Sequence, residues 1–352
     1  MASAFLAQRI SAAYAELAQS RFGEAVRRLR EIAADHPQSH EAQQACGAVL
    51  NRLGRADLAE PFLRAAHAIE PADAETKVTL GFALLAQQNY AEGWPLYEAR
   101  YELGGAQRPK PTLPFPEWRG EPLEGRRLLI WPDEGIGDQI QFLRFALPLQ
   151  ADGADLAVCC SLPLQRLFAA NLSAFVVALT VRVELPQPDC WTMSGFLPGR
   201  LGLTPQTAPA PPYLTATATR RVGGPRLGVM GRGNPQHLND AHRSLWPEQA
   251  QRLLDVPGAL DLHPDSTGAQ DFADTAAIIA GLDLVISVDT SVAHLAAAMG
   301  KPTWILLPTI GLDWRWGLSG EQTAWYPAAR LFRQPRINDW PGVVDAVIAA
   351  LG

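Results

Sequence analysis

Through residues 1–104 apolar positions recur at helical spacing among Ala, Leu, Glu and Arg, which predicts a series of amphipathic helices. A longer period overlies the short one. Ala13, Gly47 and Gly81 stand 34 residues apart, as do Ala25, Ala59 and Gly93, then Phe22, Ala56 and Tyr90, and finally Pro37 and Pro71. Small residues must recur where the two helices of a hairpin touch closely, and the prolines end each second helix. The pattern predicts about three helix–turn–helix units that bury their apolar faces only by stacking, the first unit being degenerate and acting as a cap. From Arg126 the pattern changes to short apolar strands alternating with helices. The candidate strands are 127–131, 155–160 and 175–179, then 226–230, 260–262, 284–287 and 303–307. The candidate helices are 139–149, 163–170, 247–254, 271–280, 291–299 and 340–351. Continuous apolar strands separated by helices imply parallel sheets covered on both faces.

Between these regions lies a Pro/Gly-rich stretch, 105–125, in which Trp118 sits among five prolines; it reads as a stiff connector that Trp118 docks onto a neighbour. A second proline-rich break, Thr207–Tyr213, divides the α/β region. The expected organisation is helical repeats over 1–104, a linker over 105–125, and two Rossmann-like domains over 126–212 and 213–352 with a cleft between them. The helical part resembles tetratricopeptide repeats. Its surface either shields the next domain or recruits a peptide or protein, and Gln43, Gln44, Asn51 and Lys77 are candidates to line such a groove.

Composition narrows the classes of partner. The 352 residues carry a formal net charge of −6 and no long basic run, which argues against nucleic acid or an anionic membrane. The four cysteines, Cys46, Cys159, Cys160 and Cys190, have no metal-ligand spacing and suit a reduced, cytoplasmic protein. No signal peptide and no membrane span are expected.

Two strand-to-helix turns carry the candidate chemistry. In Ser287–His294 a strand ends on small hydroxyl residues and runs straight into a helix, so free backbone N–H groups and the positive helix end coincide. That is an anion seat, and in α/β folds the usual anion is a nucleotide phosphate. In the earlier turn, Trp131–Asp138, Gly135 and Gly137 allow a tight turn with close backbone approach before Asp138 begins the helix. A dinucleotide site is disfavoured. Ile140 stands in the third glycine position, and the next strand ends in Cys160 rather than a ribose-binding acid.

Taken in order, the blocks Asp133–Asp138, Gly233–Ser244, Asp271–Ala276 and Ser287–Ala296 resemble bacterial tetratricopeptide-repeat proteins with a heptosyltransferase-like glycosyltransferase domain. Asp313–Trp316, Trp325–Pro327 and Leu331–Gln334 are also similar to that group. The resemblance covers nearly the whole chain. It implies a GT-B fold, two Rossmann-like domains facing each other with a nucleotide-diphosphate sugar held mainly by the second. It further implies Asp138 as the base for an acceptor hydroxyl, against which stands its reading as a helix N-cap. For the diphosphate the chain offers Thr290, Ser291, His294 and Arg243, of which Arg243 carries the strongest contacts. His294 is either a donor to phosphate or ribose or a buried structural histidine. Asp289 suits a sugar or ribose hydroxyl, or orients the turn. Asp240 either pairs with Arg243 or belongs to a mobile loop with His237 and Asn239, while Asp271 and Asp274 either cap their helix or touch the donor. Trp304, Trp314, Trp316 and Trp325 are candidates for a base-stacking platform or for core anchors. Asn234 lies in the Gly-Asn-Pro block, and Arg232 stands with Gly231 where relatives commonly have Trp-Ser, a change that alters the donor, adds a phosphate contact or marks a domain that no longer catalyses. No metal site and no cofactor beyond the donor substrate are expected, and transfer should be inverting and metal-independent. The rival expectation is a repeat scaffold whose α/β part only binds or senses a nucleotide sugar.

Overall fold

The computed structural model describes residues 2–103, 110–132, 135–180, 184–218 and 226–352, the side chains of the first two excepted. Asp133 and Glu134 of the first glycine turn, and residues 104–109 of the connector, lie outside the described residues. The chain divides into two units: Met1–Pro109 with Ile310–Ser319, and Lys110–Thr309 with Gly320–Gly352.

The first unit is built from α1 (Ala2–Ala18), α2 (Phe22–Asp35), α3 (His40–Arg52), α4 (Ala56–Ile69), α5 (Ala74–Ala86) and α6 (Tyr90–Tyr97). The 34-residue step of the sequence is the step of the helices: α3 and α5 start that far apart, as do α2, α4 and α6. Their N-caps keep it too, with Ser39 accepting from the Ala42 N–H and Asp73 from the Thr76 N–H. Gly47 and Gly81 mark the crossing points within hairpins. A Cβ on Gly47 would lie 2.5 Å from Leu63 Cγ, and one on Gly81 would lie 2.6 Å from the Tyr97 backbone N and 3.0 Å from the Gly93 carbonyl. A test follows from the difference between that position and Gly23, which has nothing within 4 Å. Glycine to alanine inside an exposed helix gains up to about 1 kcal/mol. Gly81→Ala must instead push two backbones apart and should cost about 1–3 kcal/mol, a lowered melting temperature, while Gly23→Ala is neutral or slightly stabilising.

Residues of the candidate groove are tied down within the array. Buried Gln43 donates to the Ala33 carbonyl, Gln44 to Glu75, Asn51 to the Thr79 carbonyl, and Lys77 pairs with Glu102. The unit is also discontinuous in sequence, which the sequence pattern did not foresee. The Gly311 N–H donates to the Arg52 carbonyl at 2.8 Å, and Trp314 meets Trp94 edge-on at 5.1 Å. Trp314 and Trp316 are therefore anchors of the helical unit and not a stacking platform.

The second unit holds two parallel sheets. In the first half, β1 (Arg127–Trp131) leads into α7 (Ile136–Phe142) and α8 (Ala146–Ala151), then β2 (Asp155–Cys160), α9 (Gln165–Asn171), β3 (Phe175–Ala178), β4 (Cys190–Met193) and α10 (Leu197–Arg200). The strand order is β3-β2-β1-β4. In the second half, β5 (Leu227–Met230) is followed by α11 (Asp240–Arg243), α12 (Pro247–Leu254), β6 (Ala259–Asp261), α13 (Pro264–Thr267), α14 (Phe272–Ala280), β7 (Leu284–Val288), α15 (Ser291–Ala298), β8 (Thr303–Leu307), β9 (Ala329–Arg333) and α16 (Trp340–Leu351). Its order is β6-β5-β7-β8-β9. These are two Rossmann-like halves, the GT-B arrangement that the resemblance implied. Trp118 is buried and seats the connector along β4, its N–H donating to the Trp191 carbonyl at 2.7 Å. All four cysteines are buried and unbridged. Burial pushes the Cys159 and Cys160 thiols up to about 12 and Cys46 up to about 11, which disfavours the reactive thiolate form. No helix of the described residues is long and apolar enough to cross a membrane.

Candidate functional site

The carboxyl ends of β1, β5 and β7 and the helices that follow them bring most of the predicted residues together. This is the edge where open α/β sheets hold ligands. The two halves meet through α7 and α15. Gly137, in the first turn of α7, lies so near α15 that a Cβ on it would stand 2.7 Å from His294 Cδ2 and 3.4 Å from Nε2. Neither glycine of the first turn has a left-handed backbone; Gly135 is extended at φ −81°. Gly137 is small because the imidazole of the other half occupies the space a side chain would fill.

Asp138 follows directly. Its Oδ2 accepts the Gly135 N–H at 2.9 Å, so its carboxylate caps α7. Helix α15 is built differently. Thr290 occupies its N-cap position, yet its hydroxyl does not bond back to the helix. The Thr290 hydroxyl meets Ser287 Oγ at 3.1 Å instead. By contrast, Asp271 caps α14 through the Ala273 and Asp274 N–H groups, and Asp339 caps α16. The first amides of α15, among them that of Ser291, are thus not used by their own cap, which suits an external anion.

Arg243 holds the turn that leads into α15. Its Nη1 donates to the Asp289 carbonyl at 3.1 Å and its Nε to Asp240 Oδ1 at 3.1 Å, with Ser244 Oγ on the same Asp240 oxygen. Gly233 lies flat against this group: a Cβ there would meet Asp240 Oδ1 at 2.5 Å and Arg243 Nε at 2.8 Å. The Asp289 carboxylate lies 4.0 Å from His294 Nε2, and His294 Nδ1 is 2.9 Å from the Tyr326 hydroxyl. His294 is 6% exposed and Tyr326 1%.

The remaining candidates stand apart from this group. Arg232 is exposed and nearest Asp265, at 3.8 Å. Asn234 folds its own loop by accepting the Gln236 N–H. Asp271 and Asp274 pair with Arg166 of the first half, which makes them a second tie between the halves as well as helix residues. Trp325 is buried against Phe145, which removes it as an open stacking platform, and half-buried Trp304 packs on Phe332. Among the described residues no three His, Cys, Asp or Glu side chains gather as a metal cluster. Sequence reasoning missed Tyr326 as a partner of His294, although it lies in the Trp325–Pro327 block.

Residues 266–306, which span α14, β7, α15 and most of β8, match the family profile described as glycosyltransferase family 9 (heptosyltransferase). That stretch is glycosyltransferase family 9-like. Protein FlbA of Caulobacter vibrioides is 26% identical over 326 residues, covering 76% of this chain and 53% of FlbA. The chain therefore spans about half the length of that curated relative. The iron-containing dodecameric glycosyltransferase TibC of enterotoxigenic Escherichia coli matches at a TM-score of 0.43 with 16% identity, over 71% of this chain and 81% of TibC. ADP-heptose lipopolysaccharide heptosyltransferase II of E. coli matches at 0.40 with 13% identity, over 64% of this chain and 98% of that enzyme. The family 9-like stretch contains Asp289, Thr290, Ser291 and His294, while Arg243 and the α7 turn come from outside it.

Proposed function

We propose that the protein is a glycosyltransferase that moves a sugar from a nucleotide-diphosphate sugar to an acceptor hydroxyl, with inversion and without a required metal ion. The diphosphate rests on the N-terminus of α15, at Thr290 and Ser291, with His294 donating from the same helical face. Arg243 holds the Asp289–Thr290 turn in place and adds positive charge, and Asp289 takes a sugar or ribose hydroxyl. Gly135 and Gly137 bring the α7 turn against this site, Arg232 and Asn234 reach the donor from the loop after β5 only if that loop moves toward it, and Asp138 accepts the proton of the acceptor hydroxyl. The observation that carries this reading is the approach of Gly137 to His294. It supports the reading because Asp138 follows Gly137 directly and His294 belongs to the helix whose first amides its own cap leaves unused, so a candidate base and a candidate anion seat come from two elements in contact. The helical array would recruit the acceptor, a protein, peptide or glycan.

A second reading is favoured by one specific contact, the bond that already engages Asp138 as a cap. In it the α/β part binds a nucleotide sugar without transferring it, and the repeats carry the function as a scaffold. One experiment separates the two. A thermal-shift screen of nucleotides and nucleotide sugars should raise the melting temperature with at least one donor. Sugar release or transfer, assayed in EDTA, should then fall about 10²–10⁴-fold in Asp138→Asn while donor binding is retained. Binding with no turnover in either protein supports the sensor, and stabilisation by no nucleotide removes both readings.

A further inference from the structure

Arg144 lies at the junction of α7 and α8, 1% exposed, and among the described residues it has no carboxylate partner. Its Nη1 donates to the Trp325 carbonyl at 3.1 Å, while Nε and Nη2 have no hydrogen-bond partner. Around it stand three rings, with its guanidinium carbon 4.5 Å from the centre of Tyr213, 5.1 Å from Tyr326 and 5.8 Å from Trp325. An arginine does not shed its proton, so this is a permanent cation buried against aromatic faces. Burying it without a counter-charge is costly. Its effect is electrostatic and directional. A positive charge at the ring of Tyr326 makes the phenol a better hydrogen-bond donor and a poorer acceptor.

The Tyr326 hydroxyl and His294 Nδ1 share one hydrogen bond, at 2.9 Å, whose direction the ring geometry leaves open. The cation favours Tyr326 as the donor. Nδ1 then accepts, and in a neutral imidazole the proton must sit on Nε2. The other end of the ring agrees, since Nε2 is the nitrogen that faces the Asp289 carboxylate, 4.0 Å away. Gly137 lies on the Cδ2 side of the ring, where a side chain would collide with it.

We propose that Arg144 and Tyr326 are positioning residues that fix His294 in its Nε2–H form, so that it presents a donor to the diphosphate at the α15 N-terminus. The role at the diphosphate rests on the glycosyltransferase reading; the tautomer does not.

The test is nitrogen-15 NMR of the full chain labelled at its seven histidines, recorded without nucleotide above the histidine titration range, with His294 assigned by its loss in His294→Asn. His294 Nδ1 should show the shift of an unprotonated ring nitrogen and Nε2 that of an N–H. In Tyr326→Phe, which removes only the hydroxyl, the Nδ1–H form should become populated. Arg144→Met should move the ratio the same way and Arg144→Lys, which keeps the cation, should restore it. Dissociation constants for ADP or UDP, whichever stabilises the wild type, should rise about 3–10-fold in Tyr326→Phe, the size of one lost hydrogen bond. A wild-type His294 protonated on Nδ1 overturns the proposal, as does a ratio unmoved in Tyr326→Phe. An unmoved ratio in folded Arg144→Met overturns the part given to Arg144; should that variant not fold, a shifted ratio in Arg144→Lys overturns it. A chain that no nucleotide stabilises refutes the donor-site reading while the tautomer is still measured.

Discussion

Arg243→Met is expected to lose nucleotide stabilisation and to lower kcat/KM for transfer about 10²–10³-fold, affecting binding and turnover together. Two losses combine. The first is charge beside a diphosphate, where a well-aimed donor at the departing group is worth on the order of 3 kcal/mol. The second is local order. Arg243 Nη1 holds the Asp289 carbonyl, and the next residue is the N-cap of α15, the helix proposed to seat the anion. With that contact gone, Asp289 and Thr290 lose the tie to the loop after β5, and Asp240 keeps Ser244 but loses its cation. Arg243→Lys separates the two contributions. It restores a charge but not the paired contacts to Asp240 and Asp289, so it should regain part of the nucleotide affinity and little of the turnover. Thermal shift with the donor and steady-state kinetics measure these separately. A methionine variant that binds and transfers like the wild type would remove Arg243 from the site.

The helical array and most strands were legible because their signals are local. A 34-residue step of small residues survives as the spacing of hairpins, with Gly47 and Gly81 at the helix crossings. Helix α14 behaved as its sequence says, Asp271 capping it. What was not legible depends on contacts between distant segments. Strand β4 has only four residues and follows Pro186 and Pro188, so no periodicity develops; its place comes from pairing with β1 and with the connector. Strand β9 carries Arg330 and Arg333 at an edge, which hides it among loop residues. The capture of Ile310–Ser319 by the helices needs the Trp94–Trp314 contact, which no spacing rule reveals. At the site, the hydroxyl-rich turn, Arg243 and a capping role for Asp138 were visible, but the helix begins earlier than expected, so Asp138 caps from its third position by reaching back to the Gly135 N–H. Arg144 left one faint trace, a lone cation inside the apolar run Ile140–Leu149.

The Gly137–His294 approach gives the sharpest structural expectation. Alanine is the better helix former, and on propensity alone Gly137→Ala would stabilise α7 by up to about 1 kcal/mol. The added methyl would lie 2.7 Å from His294 Cδ2, well inside contact distance. The imidazole cannot simply swing away, because Nδ1 is held by Tyr326 and the ring is almost fully buried. Either α7 and α15 separate or the His294–Tyr326 bond breaks, and each costs about 1–3 kcal/mol. Gly137→Ala should therefore lower the melting temperature and weaken nucleotide binding together, and in the NMR experiment it should disturb His294 as Tyr326→Phe does. Gly135→Ala is the control. Gly135 is exposed, and its nearest neighbour would be Asp138 Oδ2 at 3.0 Å, so the capping carboxylate need shift only slightly. Replacing glycine by alanine at an N-cap costs about 0.5–1 kcal/mol and leaves His294 untouched. Equal effects from the two substitutions would mean that the α7 turn, and not its contact with α15, is what the glycines serve. A large effect confined to Gly137→Ala makes the junction of the two halves the structural core of the site, since donor seat and candidate base then depend on one interhelical contact.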